Sequence, residues 1–178
     1  MSTNLPAPLD LGPMPAGRRM TTLDERVVHA PVARIFALAA DVERWPALLP
    51  HYRYVRFREH RADGGGIVEM SAYRPFGLVQ WPTWWRSTMR VRRPGGTDAP
   101  SIRFTHVGGI TRGMEVEWTF HELDGGRTLV RILHVWDGPD VPVLGPAAAT
   151  LVIGPVFVHG IASRTLAGLA NAAERGAG

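Results

Sequence analysis

SIRFTHVGGITRGMEVEWTFHELDGGRTLVRILHVW, residues 101–136, decides the fold. Ser101–Val107, Met114–Glu122 and Arg127–Trp136 each alternate apolar and polar side chains. Gly108-Gly109 and Gly125-Gly126 separate them. Period-two alternation closed by glycine pairs reads as consecutive strands joined by tight turns. The pattern continues upstream. Residues 83–93 alternate and stop at Pro94-Gly95-Gly96, Ile67–Arg74 runs to a Pro75/Gly77 break, and Tyr52–Arg61 ends at Asp63-Gly64-Gly65-Gly66. Six strands joined in order make an antiparallel meander, and Met20–His29 supplies a seventh.

Helical signals flank the strands. Pro31 suits a first helical position, and residues 32–39 place Ile35, Phe36 and Ala39 on one face of a short helix. Asp41 reads as the N-cap of a second short helix through Trp45-Pro46 to Leu49, which Pro50 ends. Residues 141–163 carry no Asp, Glu, Lys or Arg, which raises a membrane span. Pro142, Pro146, Gly154 and Pro155 interrupt them, so the expectation is a connection over 139–155 and no span. A helix then runs from about Val156 to Arg175, with Val158, Ile161, Ala162, Thr165, Leu166, Leu169 and Ala173 in one stripe. Such a stripe packs a helix onto a sheet. The class is α+β, one domain over residues 20–175.

The chain has 178 residues, 45% of them apolar and 20% charged, which fits a globular domain with a substantial core. It has no cysteine, which excludes disulfides, thiolate metal sites and a cysteine nucleophile. All 20 basic residues are arginine, and the net charge is +4. Residues 1–19 hold four prolines and read as a mobile arm without a secretory signal, so the expected location is the cytoplasm.

Alternation assigns each strand a face. The inward set contains Trp85, Trp118, Trp136, Met70, Met89, Phe104, His106, His134 and Ser87, with Arg74 at a strand end. Indole, thioether and imidazole groups on one concave face under a helix suggest a cavity for an apolar ligand. Ile161 and Thr165 close it from the helix. The plainer reading is a core in which these groups satisfy one another.

Ala30-Pro31, Ile35-Phe36, Asp41-Val42-Glu43-Arg44-Trp45-Pro46, Leu49-Pro50, Trp85-x-Ser87, Glu117-Trp118-Thr119-Phe120 and Gly126-x-Thr128 form a recognisable series. With it the chain resembles, from Met20 to Glu174, the START-like, birch-pollen-allergen-like (SRPBCC) superfamily, in its polyketide cyclase/dehydrase branch. The resemblance implies a helix-grip fold: a seven-stranded antiparallel sheet wrapped around a long C-terminal helix, with two short helices closing one end. Aromatase/cyclases of that branch fold a poly-β-ketone in the cavity and direct its cyclisation and dehydration. Their Trp-x-Ser-x-Arg strand reads here Trp85-Arg86-Ser87-Thr88-Met89, so the arginine position holds Met89. Arg74 on the neighbouring strand is the alternative inward cation.

Such chemistry needs a base for an acidic C–H and a donor for a carbonyl. His106 and His134 are the inward groups that titrate near neutrality, so they and Ser87 are the catalytic candidates, ahead of Tyr73. The competing role is a non-catalytic carrier or sensor of a lipid, quinone or aromatic metabolite. The seven histidines show no close H-x-x-x-H or H-x-H spacing, and no P-loop, dinucleotide fingerprint or G-x-S-x-G elbow occurs. No metal or cofactor is expected. Arg56, Arg58, Arg86, Arg90 and Arg92 face outward, either as a solvated band or as a dock for an acidic acyl carrier protein. Nucleic acid is disfavoured, because Trp84 is the only clear aromatic among them.

Overall fold

A computed structural model describes residues 5–76, 79–96, 98–138 and 158–176, without the side chains of 74–76 and 79–81. Seven strands form one antiparallel sheet: β1 Met20–Val28, β2 Tyr52–His60, β3 Gly66–Phe76, β4 Val79–Arg92, β5 Ser101–Gly109, β6 Glu115–Leu123 and β7 Arg127–Trp136. Their spatial order is β1-β7-β6-β5-β4-β3-β2. Hairpins thus join β2 through β7 in sequence, and β1 closes the far edge against β7. The helices are α1 (Val32–Ala40), α2 (Trp45–Leu48) and α3 (His159–Arg175), with a 3-10 turn at Val42–Arg44. This is the helix-grip architecture.

Two local readings need correction. The β3–β4 hairpin runs through Pro75, and β4 begins at Val79 rather than at residue 83. Proline is excluded from a central strand because it lacks an N–H for the ladder. Here β2 pairs with β3 only as far as Ala72, and β5 pairs with β4 only from Trp85. Pro75 and Pro82 therefore lie beyond their outer neighbours, where no donor is needed. Asp41 makes no side-chain cap; its carboxylate lies 3.9 Å from Arg44 instead.

The core lies between the concave face of the sheet and the helices. α3 buries Ala162, Thr165, Leu166, Leu169, Ala170 and Ala173, and α1 buries Ile35, Phe36 and Ala39. Phe36 meets Phe120 edge-on at 5.1 Å between ring centres. The Thr128 hydroxyl donates to the Ala30 carbonyl at 2.7 Å, and His29 N–H donates to Glu174 at 3.0 Å. These bonds tie the β1–α1 corner to β7 and to α3.

The convex face shows why charges expected outward can still be buried. Glu69, 8% exposed at its side chain, accepts from Arg56, Arg58 and Arg86. Arg103, 9% exposed at its side chain, pairs with Glu115 at 3.1 Å and donates to the carbonyls of Gly12 and Pro13. Residues 5–19, whose prolines suggest mobility, are laid in this structure along that outer face. Arg90 pairs with Asp10, Ala62 N–H donates to Pro6 O, and Arg18 and Arg19 bond Asp137. The connection expected over 139–155, and Val156 at the expected helix start, lie outside the described residues. Among those described, no helix is long and apolar enough to cross a membrane.

Candidate functional site

Under α3 the concave face leaves an empty volume of about 680 Å³, open solvent at its mouth included. A concave, mostly apolar space with a few polar groups is the usual form of a small-molecule site. Each strand except β1 contributes inward side chains to the wall: Tyr52 from β2, Met70 from β3, Trp85 from β4, Phe104 and His106 from β5, Val116 and Trp118 from β6, Ile132 and His134 from β7. Val158, Ile161, Ala162 and Thr165 cover them from α3 and the residue before it, and Trp45 comes from α2. Strand alternation accounts for the parity: Arg103, Thr105, Glu117 and Arg131 intervene on the other face.

The polar groups form three stations in this apolar box. His106 Nδ1 is hydrogen bonded to Thr111 Oγ1 at 2.7 Å, and its ring stacks on Trp85 at 6.0 Å. Thr111 is brought there by the β5–β6 loop. Gly109 opens that loop at φ +89°, where a Cβ would run into the backbone of Trp84 and Trp85. His134, one strand beyond β6, is the second station. Burial pushes both imidazoles down to about 3, and repulsion between the two rings lowers His106 further. Both are therefore neutral at pH 7. The third station is Thr165, whose hydroxyl donates to Ile161 O at 2.8 Å and lies 3.3 Å from the Tyr52 hydroxyl and 3.0 Å from His51 Nε2. Burial raises the Tyr52 phenol, which stays protonated, and lowers His51 to about 4 with help from Arg164.

The structure thus brings Trp85, Trp118, Met70, Phe104, His106, His134, Ile161 and Thr165 together around one cavity. Three other inward candidates stand outside the lining. On β3 and β4 the wall stops at Met70 and Trp85, which pair directly. Ser87 and Met89 lie further toward the Gly66 end of the hairpin and are fully buried in the core. Trp136 lies beyond His134 on β7, its indole N–H donating to Arg112 O at 2.9 Å. The Arg74 side chain lies outside the described residues. Tyr52, Trp45, Thr111 and Met114 join the wall without having been singled out. Tyr52 precedes a register shift on β2 that hides its parity, Thr111 sits in a loop, Met114 stands one residue before β6 in phase with Val116 and Trp118, and Trp45 carried only a family signature. Among the described residues no group of three or more His, Cys, Asp or Glu could hold a metal.

Several solved structures share this architecture. ZhuI aromatase/cyclase from Streptomyces sp. R1128 superposes with a TM-score of 0.68 at 20% identity, over 88% of this chain and 94% of that one. A START superfamily protein from Mycobacterium smegmatis gives 0.64 at 15% identity, over 87% and 97%. The di-domain ARO/CYC StfQ of the steffimycin biosynthetic pathway gives 0.61 at 18% identity, over 87% of this chain and 50% of that one. At these identities the likeness establishes the fold. No curated protein matches the sequence. Residues 28–155, from the end of β1 through β7 and beyond, match the family described as polyketide cyclase / dehydrase and lipid transport, and the chain belongs to that family.

Proposed function

We propose that the cavity takes up an aromatic or polyketide-like molecule and catalyses its cyclisation and dehydration, with His106 and His134 moving the protons. The observation that carries this reading is the pair of buried, neutral imidazoles in an otherwise aromatic and aliphatic wall. Cyclisation of a poly-β-ketone starts when a carbon between two carbonyls loses its proton to a base. Burial disfavours the charged ring, and among the described residues no carboxylate is hydrogen bonded to either imidazole to supply the counter-charge, so each takes a proton reluctantly. An enolate forming beside the ring supplies that charge and raises its basicity as the proton moves. The enolate carbon attacks a second carbonyl, whose oxygen becomes an alkoxide. The Tyr52 hydroxyl, beside Thr165, is the donor for that oxygen. The imidazolium returns its proton to the alkoxide, giving a hydroxyl; the neutral ring then takes the remaining α-proton and passes it to the departing hydroxyl, so that water leaves and the ring double bond forms. Ser87, buried away from the lining, has no step.

The aromatase/cyclase relatives support this reading, and the family description also covers lipid transport. The same proposal places the protein in the cytoplasm and gives it an acidic acyl carrier protein as partner. Three half-exposed guanidiniums around Glu69, beside Trp84 at 49% exposure, support that partner.

His106→Gln and His134→Gln, assayed singly with a poly-β-ketone thioester, test the chemistry. Turnover falls roughly 10²–10⁴-fold, while affinity for an aromatic product stays within about threefold. A wild-type protein that binds the same molecule without converting it is a carrier, and the catalytic reading is then wrong.

A further inference from the structure

β1 contributes nothing to the cavity wall, yet its inward residues lie directly behind His134. The register places Thr22 opposite His134 and Asp24 opposite Ile132. Alternation turns both toward the concave side, since Thr21, Leu23 and Glu25 between and beside them are exposed. Thr22 Oγ1, Asp24 Oδ2 and His134 Nδ1 are each buried and make no hydrogen bond within the protein. They are three of the seven such atoms among the described residues, and they fall at adjoining positions of one strand pair. Side chains so placed, directly opposite or on the diagonal, lie within reach of one another across a ladder.

Their chemistry is complementary. A carboxylate oxygen accepts, a hydroxyl does either, and an imidazole nitrogen donates when it carries the hydrogen. A single water among them would accept from His134 Nδ1–H and donate to Asp24 Oδ2, with Thr22 at its remaining position. Buried polar atoms are rarely left unpaired, and a shared water is the usual way to satisfy such a group. The other Asp24 oxygen is held 2.5 Å from Nδ1 of His159, the first residue of α3. Burial raises the Asp24 carboxyl, and the contact with His159 opposes that rise.

We propose that Asp24 is the positioning residue of His134: through one water shared with Thr22, its carboxylate keeps the proton on Nδ1 and leaves Nε2 as the lone-pair nitrogen for the cavity. The geometry is the carboxylate–imidazole arrangement in which the far nitrogen becomes the acceptor. The titratable groups around His134 are Asp24 on β1, His106 on β5 and, through Asp24, His159 on α3. β6 presents Val116 opposite it, and Ile161, Ala162 and Thr165 of α3 carry no charge. The consequence for turnover rests on His134 acting as the base. The tautomer itself does not.

Long-range proton–nitrogen spectra of the full chain labelled at histidine test this at pH 7.5. Wild-type His134 is expected in the Nδ1–H form. In Asp24→Asn the ring shifts to a mixture of tautomers and its titration midpoint falls, while the Thr111-bonded His106 keeps its signals as an internal check on folding. Thr22→Val moves His134 in the same direction by less. Wild-type His134 in the Nε2–H form overturns the proposal even if no variant folds. So does a tautomer and midpoint unchanged in Asp24→Asn.

Discussion

The two faces of one sheet handle buried polarity in opposite ways. On the convex side Glu69 is buried and ionised, and three guanidiniums hold its carboxyl down to about 2, Arg56 foremost. On the concave side His106 and His134 are also buried and also shifted down, to about 3, because burial disfavours their charged forms. The same direction of shift thus records a satisfied charge on one face and an absent charge on the other. Trp85 and Arg86, adjacent on β4, belong to the two regimes. The lesson is how such a shift is read: the guanidiniums around Glu69 hold it charged, and burial in the cavity wall holds the two imidazoles neutral.

The pH dependence of stability sharpens the contrast most strongly. A histidine whose folded value lies below its ordinary 6.5 stabilises the protein above pH 6.5 and loses that contribution as pH falls toward 3. Each ring steepens the loss by up to about 1.4 kcal/mol per pH unit. Urea unfolding of His106→Gln and His134→Gln should show a flatter decline across that window. Equal slopes in variant and wild type would place the rings in water.

Next in size is Glu69→Gln. It leaves three guanidiniums without their shared anion and should cost about 1–2 kcal/mol at pH 7, reduced from a fully buried case because the arginines rehydrate. The depressed carboxyl contributes above its ordinary 4.5 and fades as pH falls through about 2. The difference between wild type and variant should therefore shrink only below pH 4.5, where the histidine window is already half traversed. The smallest effect belongs to Arg86→Gln. Its guanidinium is half exposed and shares Glu69 with two others, so unfolding should move by no more than about 0.5 kcal/mol. A larger loss would mean that the outer face is less self-sufficient than its contacts imply.

Much of this was legible in the sequence, and the rest was hidden for definable reasons. Glycine pairs and period-two alternation located all seven strands, and β7 from Arg127 to Trp136 was read to the residue. Pro75 misled because its cost depends on whether a neighbouring strand reaches that far, which is a fact of register. Six cavity residues followed from strand parity, and Ile161 and Thr165 from the stripe of the C-terminal helix. Ser87, Met89 and Trp136 share the right face but lie at the wrong place along the strand, because alternation reports the face and says nothing of where along it a helix leaves space. Thr111 comes from a loop without periodicity, Met114 is in phase with Val116 and Trp118 but stands just before β6, and Tyr52 precedes a bulge that breaks the pattern. Alternation from Met70 puts Glu69 on the outer face, but only the convergence of β2 and β4 on it reveals that three arginines bury it.

The central claim is that the space beneath α3 accepts a planar apolar molecule. Native mass spectrometry of the protein mixed with a three-ring aromatic such as an anthraquinone tests it directly, against Ala162→Trp, which fills the space from the α3 side. The account predicts one adduct of one-to-one stoichiometry with the natural chain and none with the filled variant. No adduct up to the solubility limit, or equal adducts in both proteins, would contradict it.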